Sequence, residues 1–194
     1  MAPKDENELQ HMIYTGIRLN RIVFIRYPKE PGVGVGLDKR YKEIPFAKAE
    51  IMRDGRDAVV FAVGPLVYQV MEAAEKLAKR DRINITVVNI RYVKPFDKEL
   101  ILKLVRKTRK IITVEDGIKN GGFGSMVQEL LISESIKKYN ILSLGVSEEI
   151  IEVASRQELL EKYHMDSGGL VREIRKFLKK NILNRILNPK IDKR

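Results

Sequence analysis

Cysteine is absent from the 194 residues, and there are only two histidines. Without cysteine there is no disulfide framework, no thiolate metal site and no thiol nucleophile. His11 and His164 lie far apart and lack ligand-type neighbours, which argues against a histidine metal cluster. No apolar run reaches the roughly 18 residues that a membrane span needs. The first twenty residues mix acidic, polar and apolar side chains, unlike a secretory leader. The expectation is a soluble, cytoplasmic protein with no membrane partner. Acidic residues are also in short supply, 26 against 37 Lys and Arg, for a net charge of +11. Nine basic and two acidic residues between Arg172 and Arg194 account for +7 of that excess. Such a run reads first as a solvated helix face and a basic tail. It comes with no nucleic-acid-binding motif and no interleaved aromatics, so no nucleic-acid partner is expected. The alternative reading is a free-standing basic α/β module that binds nucleic acid or another anion.

What is present is one good core, 44% apolar, arranged as alternating strand and helix patterns. Asp5 followed by Glu8 predicts a helix N-cap and its N3 partner, with Leu9, Met12, Ile13 and Ile17 recurring at helical spacing to about Leu19. Ile22 to Ile25 is apolar without alternation, the pattern of a strand buried on both faces. One helix cannot cover both faces, so residues 1–26 read as the closing αβ unit of a sheet whose other strands lie elsewhere. Residues 27–48 have no period and read as an interdomain linker. After them, Asp54-Gly55 between two short apolar runs predicts a β-hairpin. Strand runs follow at Ala58–Val63, Ile85–Ile90, Ile111–Glu115 and Ile141–Leu144. Helices are predicted around Leu66–Leu77, from Asp97 through Val105, around Met126–Ser133, over 148–163 and over 169–182. This alternation implies a three-layer αβα sandwich with a mostly parallel five-stranded sheet and one antiparallel edge strand, spanning residues 49–182. Residues 183–194 are left as the basic tail.

Two stretches invite a chemical reading. Arg26 stands where an apolar strand run meets Tyr27 and Pro28, and proline ends a hydrogen-bonded ladder. Ligands of open parallel sheets bind beyond strand carboxyl ends, and a guanidinium offers a planar fork suited to phosphate. A surface ion pair is the equal alternative. The second stretch, "VEDGIKNGGFGSM", is a glycine-rich turn from strand to helix whose N–H groups could hold an anion. Its spacing matches neither GxGxxG nor a P-loop, so tight turning is the better reading. Glu115 and Asp116 are adjacent, and neighbours in extended chain point apart, which argues against an acid/base pair.

The blocks "MAPKDENEL", "IRYP", "VVNIRYVKPFDKELI", "ITVEDGIKNGGFGS" and "SRQELLEKYHMD" resemble, in order and spacing, the C-terminal part of 1-deoxy-D-xylulose-5-phosphate synthase, a family of the transketolase superfamily. The resemblance covers about residues 1–178. It implies a transferase that uses thiamine diphosphate and Mg2+ to join pyruvate to D-glyceraldehyde 3-phosphate with loss of CO2, feeding isoprenoid and thiamine synthesis. It further implies that cofactor, metal and catalytic groups belong to N-terminal domains missing here. Residues 1–26 would then be the end of the pyrimidine-binding domain and 49–182 the third domain of a homodimer. No cofactor, metal or catalytic residue is expected in this chain, and no activity of it alone. Arg26 matches the arginine implied to anchor the substrate phosphate. The β subunits of oxo-acid dehydrogenases share the domain pattern, though they are less like the "DENEL" and "IRYP" blocks; they would imply a lipoyl-domain partner. Departures from the family pattern stand at Lys29-Glu30-Pro31, at "GVSEE" and at "EVASR".

Overall fold

The computed structural model describes residues 1–147, 151 and 153–187, with side chains up to residue 179 in the last helix. "GVSEE" beyond Ser147 and the tail beyond Leu187 lie outside the described residues, and the backbone of residues 183–187 continues the last helix. Helix α1 spans Glu6–Arg18. Strands β1 (Glu50–Arg53), β2 (Ala58–Ala62), β3 (Ile85–Asn89), β4 (Lys110–Ile118) and β5 (Asn140–Val146) form one sheet in the order β1-β3-β2-β4-β5. All neighbours run parallel except β1, which pairs antiparallel with β3 at one edge.

Every residue of β2 and β3 is buried, as their unalternating apolar runs require. Ala58, Val60, Ala62, Ile85, Val87, Ile112 and Val114 form one core with helices α2 (Leu66–Asp81) and α6 (Ser167–Leu187) and with Leu160 of α5 (Arg156–Lys162). Val59, Phe61, Val88, Ile90 and Ile111 form the other with α3 (Lys98–Thr108) and α4 (Phe123–Ser133). The predicted caps are in place: Asp5 accepts from the Glu8 N–H at 2.6 Å, and Asp97 from the Leu100 N–H at 3.1 Å.

One expectation is corrected. Asp54-Gly55 does not turn a hairpin, because β3 lies between β1 and β2. The chain instead crosses the start of β3: the Gly55 N–H donates to Thr86 Oγ1, and the Arg56 and Asp57 N–H groups donate to the Asn84 carbonyl. A Cβ on Gly55 would run into the Ile85 backbone, so close approach explains the glycine. Residues 22–25, read as the closing strand of a sheet whose other strands lie elsewhere, form no strand within this chain. They belong to no sheet, and Ile22 and Phe24 are 87% and 82% exposed. Val23 lies against Gly16 of α1, and Ile25 packs on a small core of Met12, Ile44 and Tyr92. The segment thus keeps the period of extended chain with one face covered and no neighbouring strand on which to pair.

Helix α1 explains residues 27–48, which contain no helix and no strand apart from the chain turning at Ala47. Glu6 accepts from the N–H groups of Val33, Gly34 and Val35 at 3.1, 2.7 and 2.9 Å. Asn7 accepts from Asp38 N–H, His11 Nδ1 from Lys42 N–H, and Thr15 Oγ1 from Ile44 N–H. Asn7, His11 and Thr15 are four residues apart and so line one helix face, which holds the segment as a strap. Because Nδ1 of His11 accepts, its proton sits on Nε2 and is donated to Asp38 at 3.0 Å. The helix therefore buries a polar face, and Ile13 and Ile17 of its predicted apolar stripe are left exposed.

The strap carries a pH signature. The Glu6 carboxyl is held below its ordinary value, first by its own N–H and then by those of Gly34, Val35 and Val33, which outweigh desolvation. A lowered carboxyl contributes at neutral pH and is lost as pH falls through the folded value, below the usual range of about 4. The amide resonances of Val33 to Val35 are expected to titrate with a midpoint below that range, while Ile44, held by a neutral hydroxyl, does not follow them. NMR titration of the labelled protein checks this; a midpoint at or above the free-glutamate value contradicts it.

Candidate functional site

In the order β1-β3-β2-β4-β5, the chain leaves β2 for α2 on one face and β4 for α4 on the other. Adjacent strands whose connections diverge leave a crevice beyond their carboxyl ends. A crevice of about 310 Å³ lies there, walled by Val63, Gly64 and Pro65 after β2 and by Asp116 of β4. Helix α2 starts at this wall with no acidic residue in its first turn and no side-chain cap, so its positive end is not neutralised locally.

Arg26 comes to this crevice from outside the sheet. Its N–H donates to the Met1 carbonyl at 2.9 Å, and Tyr27 and Pro28 continue along the rim. Its Nη1 lies 3.4 Å from where a Cβ on Gly117 would stand, an ordinary contact distance, so the guanidinium lies beside the Gly117 backbone. Arg26 is exposed and forms no ion pair among the described residues. It also borders a groove of about 450 Å³ whose apolar walls include Ile22, Phe24, Phe46 and Tyr92. Of the two readings of Arg26, the surface ion pair is not what the geometry contains.

Arg156 was not singled out from the sequence and stands opposite. Its Nε donates to Asp116 Oδ2 at 3.0 Å, Nη2 lies 2.9 Å from the same oxygen, and Nη1 is 3.8 Å from Glu30. Ser155 and Glu158 form a capping box that starts α5 and so places Arg156 in its first turn. Beyond Tyr27 and Pro28 the crevice adjoins a larger cleft of about 560 Å³, which Leu9, Val33 and Arg156 help to line.

The glycine-rich turn is closed to outside anions. Glu115 is buried, and its carboxylate accepts from the Phe123 and Gly124 N–H groups at 2.7 and 2.8 Å. The anion that this helix N-terminus holds is the protein's own side chain. Asp116 turns the other way, to Arg156, so the two adjacent acids point apart and form no acid/base pair. His11 is engaged with the strap, and His164 is an exposed residue just past α5.

Buried polar contacts tie the first helix to the third strand. Glu8 is buried and accepts from Asn89 Nδ2, from Arg91 Nε at 2.8 Å and from the Lys4 N–H at 2.7 Å. Arg91 also pairs with Glu50 at 2.8 Å. Asp5 adds a contact with Tyr68, whose hydroxyl donates to it at 2.8 Å. Burial pushes the Asp5 carboxyl up, but the Glu8 N–H, Tyr68 and Lys4 outweigh it and leave it lowered. The Tyr68 hydroxyl is raised, by burial first and by Asp5 second.

The family model for the transketolase C-terminal domain matches residues 47–183. The chain belongs to the transketolase C-terminal domain family. It is 44% identical over 179 residues to 1-deoxy-D-xylulose-5-phosphate synthase 1 of Geobacter metallireducens, covering 92% of this chain and 28% of the relative. It is 42% identical over 174 residues to 1-deoxy-D-xylulose-5-phosphate synthase of Pelotomaculum thermopropionicum, covering 90% and 27%. The chain thus spans little more than a quarter of the curated relatives it matches. Among solved structures, a split-gene transketolase described as an inactive beta4 tetramer superposes with a TM-score of 0.76 at 25% identity, covering 92% of this chain and 57% of that one. Glu115 fills the donors of the glycine-rich turn, and no group of three or more His, Cys, Asp or Glu side chains that could hold a metal ion occurs among the described residues. No helix of the described residues is long and apolar enough to cross a membrane.

Proposed function

We propose that this chain is the C-terminal part of a 1-deoxy-D-xylulose-5-phosphate synthase and that Arg26 anchors the phosphate of D-glyceraldehyde 3-phosphate. The reaction condenses that aldehyde with pyruvate, releasing CO2, in a homodimeric enzyme. Thiamine diphosphate and Mg2+ are held by sequence outside this chain, which is inactive alone. The observation that carries the anchor is an exposed guanidinium without an ion-pair partner among the described residues, set beside the backbone of Gly117 at the switch-point crevice. Arg91 is paired with Glu8 and Glu50 and Arg156 with Asp116, while Arg21 lies over the Phe46 ring. A dianionic phosphate gains most from the cation that has no carboxylate to displace. The exposed row of Ile13, Ile17, Ile22 and Phe24 is where the remainder of the enzyme packs, residues 22–25 pairing with its sheet.

Arg26→Ala in the complete enzyme is expected to raise KM for the phosphorylated aldehyde by about tenfold to a hundredfold, the scale of one lost charge-assisted bond or pair of bonds. KM for pyruvate should stay nearly constant. Steady-state kinetics with each substrate varied in turn checks it, and an unchanged aldehyde KM removes Arg26 from the site. With pyruvate, aldehyde, thiamine diphosphate and Mg2+ supplied, the 194-residue chain should form product only after the remaining part of the enzyme is added.

A further inference from the structure

Glu30, in a stretch where this chain departs from its family's pattern, faces Arg156, in a block that resembles the family, across the crevice. Glu30 lies in the loop just after Arg26-Tyr27-Pro28, and Arg156 in "SRQELLEKYHMD". Their charged groups approach to 3.8 Å, and Arg156 continues to Asp116 at the end of β4. We propose that Arg156 is a positioning residue: it ties the loop of residues 27–30 to the carboxyl end of β4 and so holds the Arg26 guanidinium over Gly117. This rests on the reading of Arg26 as a phosphate anchor.

The argument starts from what fixes Arg26. Its side chain has no ion pair among the described residues, so its position depends on its backbone. On the near side that backbone is bound to Met1. On the far side, Glu30 with Arg156 is the only ion pair that residues 27–31 make among the described residues. Arg156 is a suitable brace because it is anchored twice over. The capping box sets its backbone, and Asp116 takes its Nε at 3.0 Å. One guanidinium thereby connects the loop, the sheet and the start of α5. Its charge also distinguishes bracing from binding. Asp116 and Glu30 already face Arg156, so an incoming anion would have to compete with two carboxylates there, whereas Arg26 offers its charge unopposed. Lysine could not replace it, since a single ammonium cannot reach forward to Glu30 and sideways to Asp116 as a planar fork does.

The test is a double-mutant cycle in the complete enzyme, with kcat and KM for the phosphorylated aldehyde measured for the parent, Arg26→Ala, Arg156→Ala and the double variant. Arg156→Ala is expected to raise KM about tenfold while kcat changes little, the effect of misplacing a binding group. In the Arg26→Ala background the same change should add less than about twofold, because coupled residues are not additive. Arg156→Lys should recover only a minor part of the loss. Glu30→Gln, a change at a half-exposed residue that leaves the sheet untouched, should raise KM in the same direction without moving the melting temperature; this guards against a misfolded Arg156→Ala. Fully additive effects would mean that Arg156 acts independently of Arg26 and would overturn the proposal, as would unchanged KM in both Arg156→Ala and Glu30→Gln. If Arg26→Ala alone leaves KM unchanged, the anchor reading fails; if Arg26→Ala raises KM and the Arg156 and Glu30 variants do not, only the brace fails.

Discussion

Glu8→Ala is expected to destabilise the fold by about 3–5 kcal/mol, the scale for breaking one side of a buried, hydrogen-bonded ion pair. The Glu8 side chain is nearly inaccessible and accepts from three separate partners: the Lys4 N–H, Asn89 and Arg91. Truncation would leave Asn89 Nδ2 without an acceptor inside the fold and Arg91 with Glu50 alone. The loss therefore exceeds that of an average hydrogen bond, because the stranded donors stay desolvated. For a chain of this size it corresponds to a drop of about 10 °C in melting temperature. Thermal and denaturant unfolding measure it, with Glu50→Ala as the comparison. Glu50 contacts the same arginine but is half-exposed, so its removal should cost less than about 1 kcal/mol. Equal losses for the two variants would show that Glu8 is an ordinary surface partner. The effect should concentrate on α1, whose exposed Ile13 and Ile17 give it little apolar anchorage to replace the polar one.

Glu115→Ala comes next, at about 3 kcal/mol, from two charge-assisted bonds of about 1.5 kcal/mol or more each. The carboxylate sits in the first turn of α4, on the N–H groups of Phe123 and Gly124, with Gly122 packed so tightly against it that a Cβ there would overlap its oxygen. Glu115→Gln should lose less but still lose, since an amide has one acceptor oxygen where a carboxylate has two. Anions supply a sharper readout. Removing the carboxylate leaves a vacant helix N-terminus, so sulfate or phosphate should raise the melting temperature of Glu115→Ala more than that of the parent. Identical anion responses in the two proteins would mean that the turn does not depend on negative charge.

These two acids show where a sequence reading succeeds and stops. Both lie in family blocks, and the structure explains the blocks physically. In "DENEL", Asp5 caps α1, Glu6 and Asn7 hold the strap, and Glu8 reaches the asparagine and arginine of "VVNIRYV". Asp5 was legible because a cap acts within three residues. Glu8 was legible only as the N3 partner of that cap, since Asn89 and Arg91 are distant along the chain. Its Oε2 in fact accepts from Lys4 rather than closing the box on Asp5. Likewise the glycine-rich turn was rightly read as tight packing, while the carboxylate that fills it could not be assigned without knowing that Glu115 turns toward α4 and Asp116 away.

The wrong expectations have a common origin. Asp54-Gly55 carries the local chemistry of a hairpin, but β3 lies between β1 and β2 and pairs with both. The helical spacing of Leu9, Ile13 and Ile17 is real, yet hydrogen bonds from the strap and the sheet claim the opposite face of α1.

The sequence by itself determined the parallel sheet with its two helical layers, the helix caps and the family, because apolar period and capping chemistry act over a few residues. Only the tertiary structure decided that Arg26 stands beside Gly117 with no ion pair among the described residues while Arg156 is held by Asp116 and Glu30. Which charges end up neutralised depends on segments brought together by folding, and that pairing is invisible along the chain.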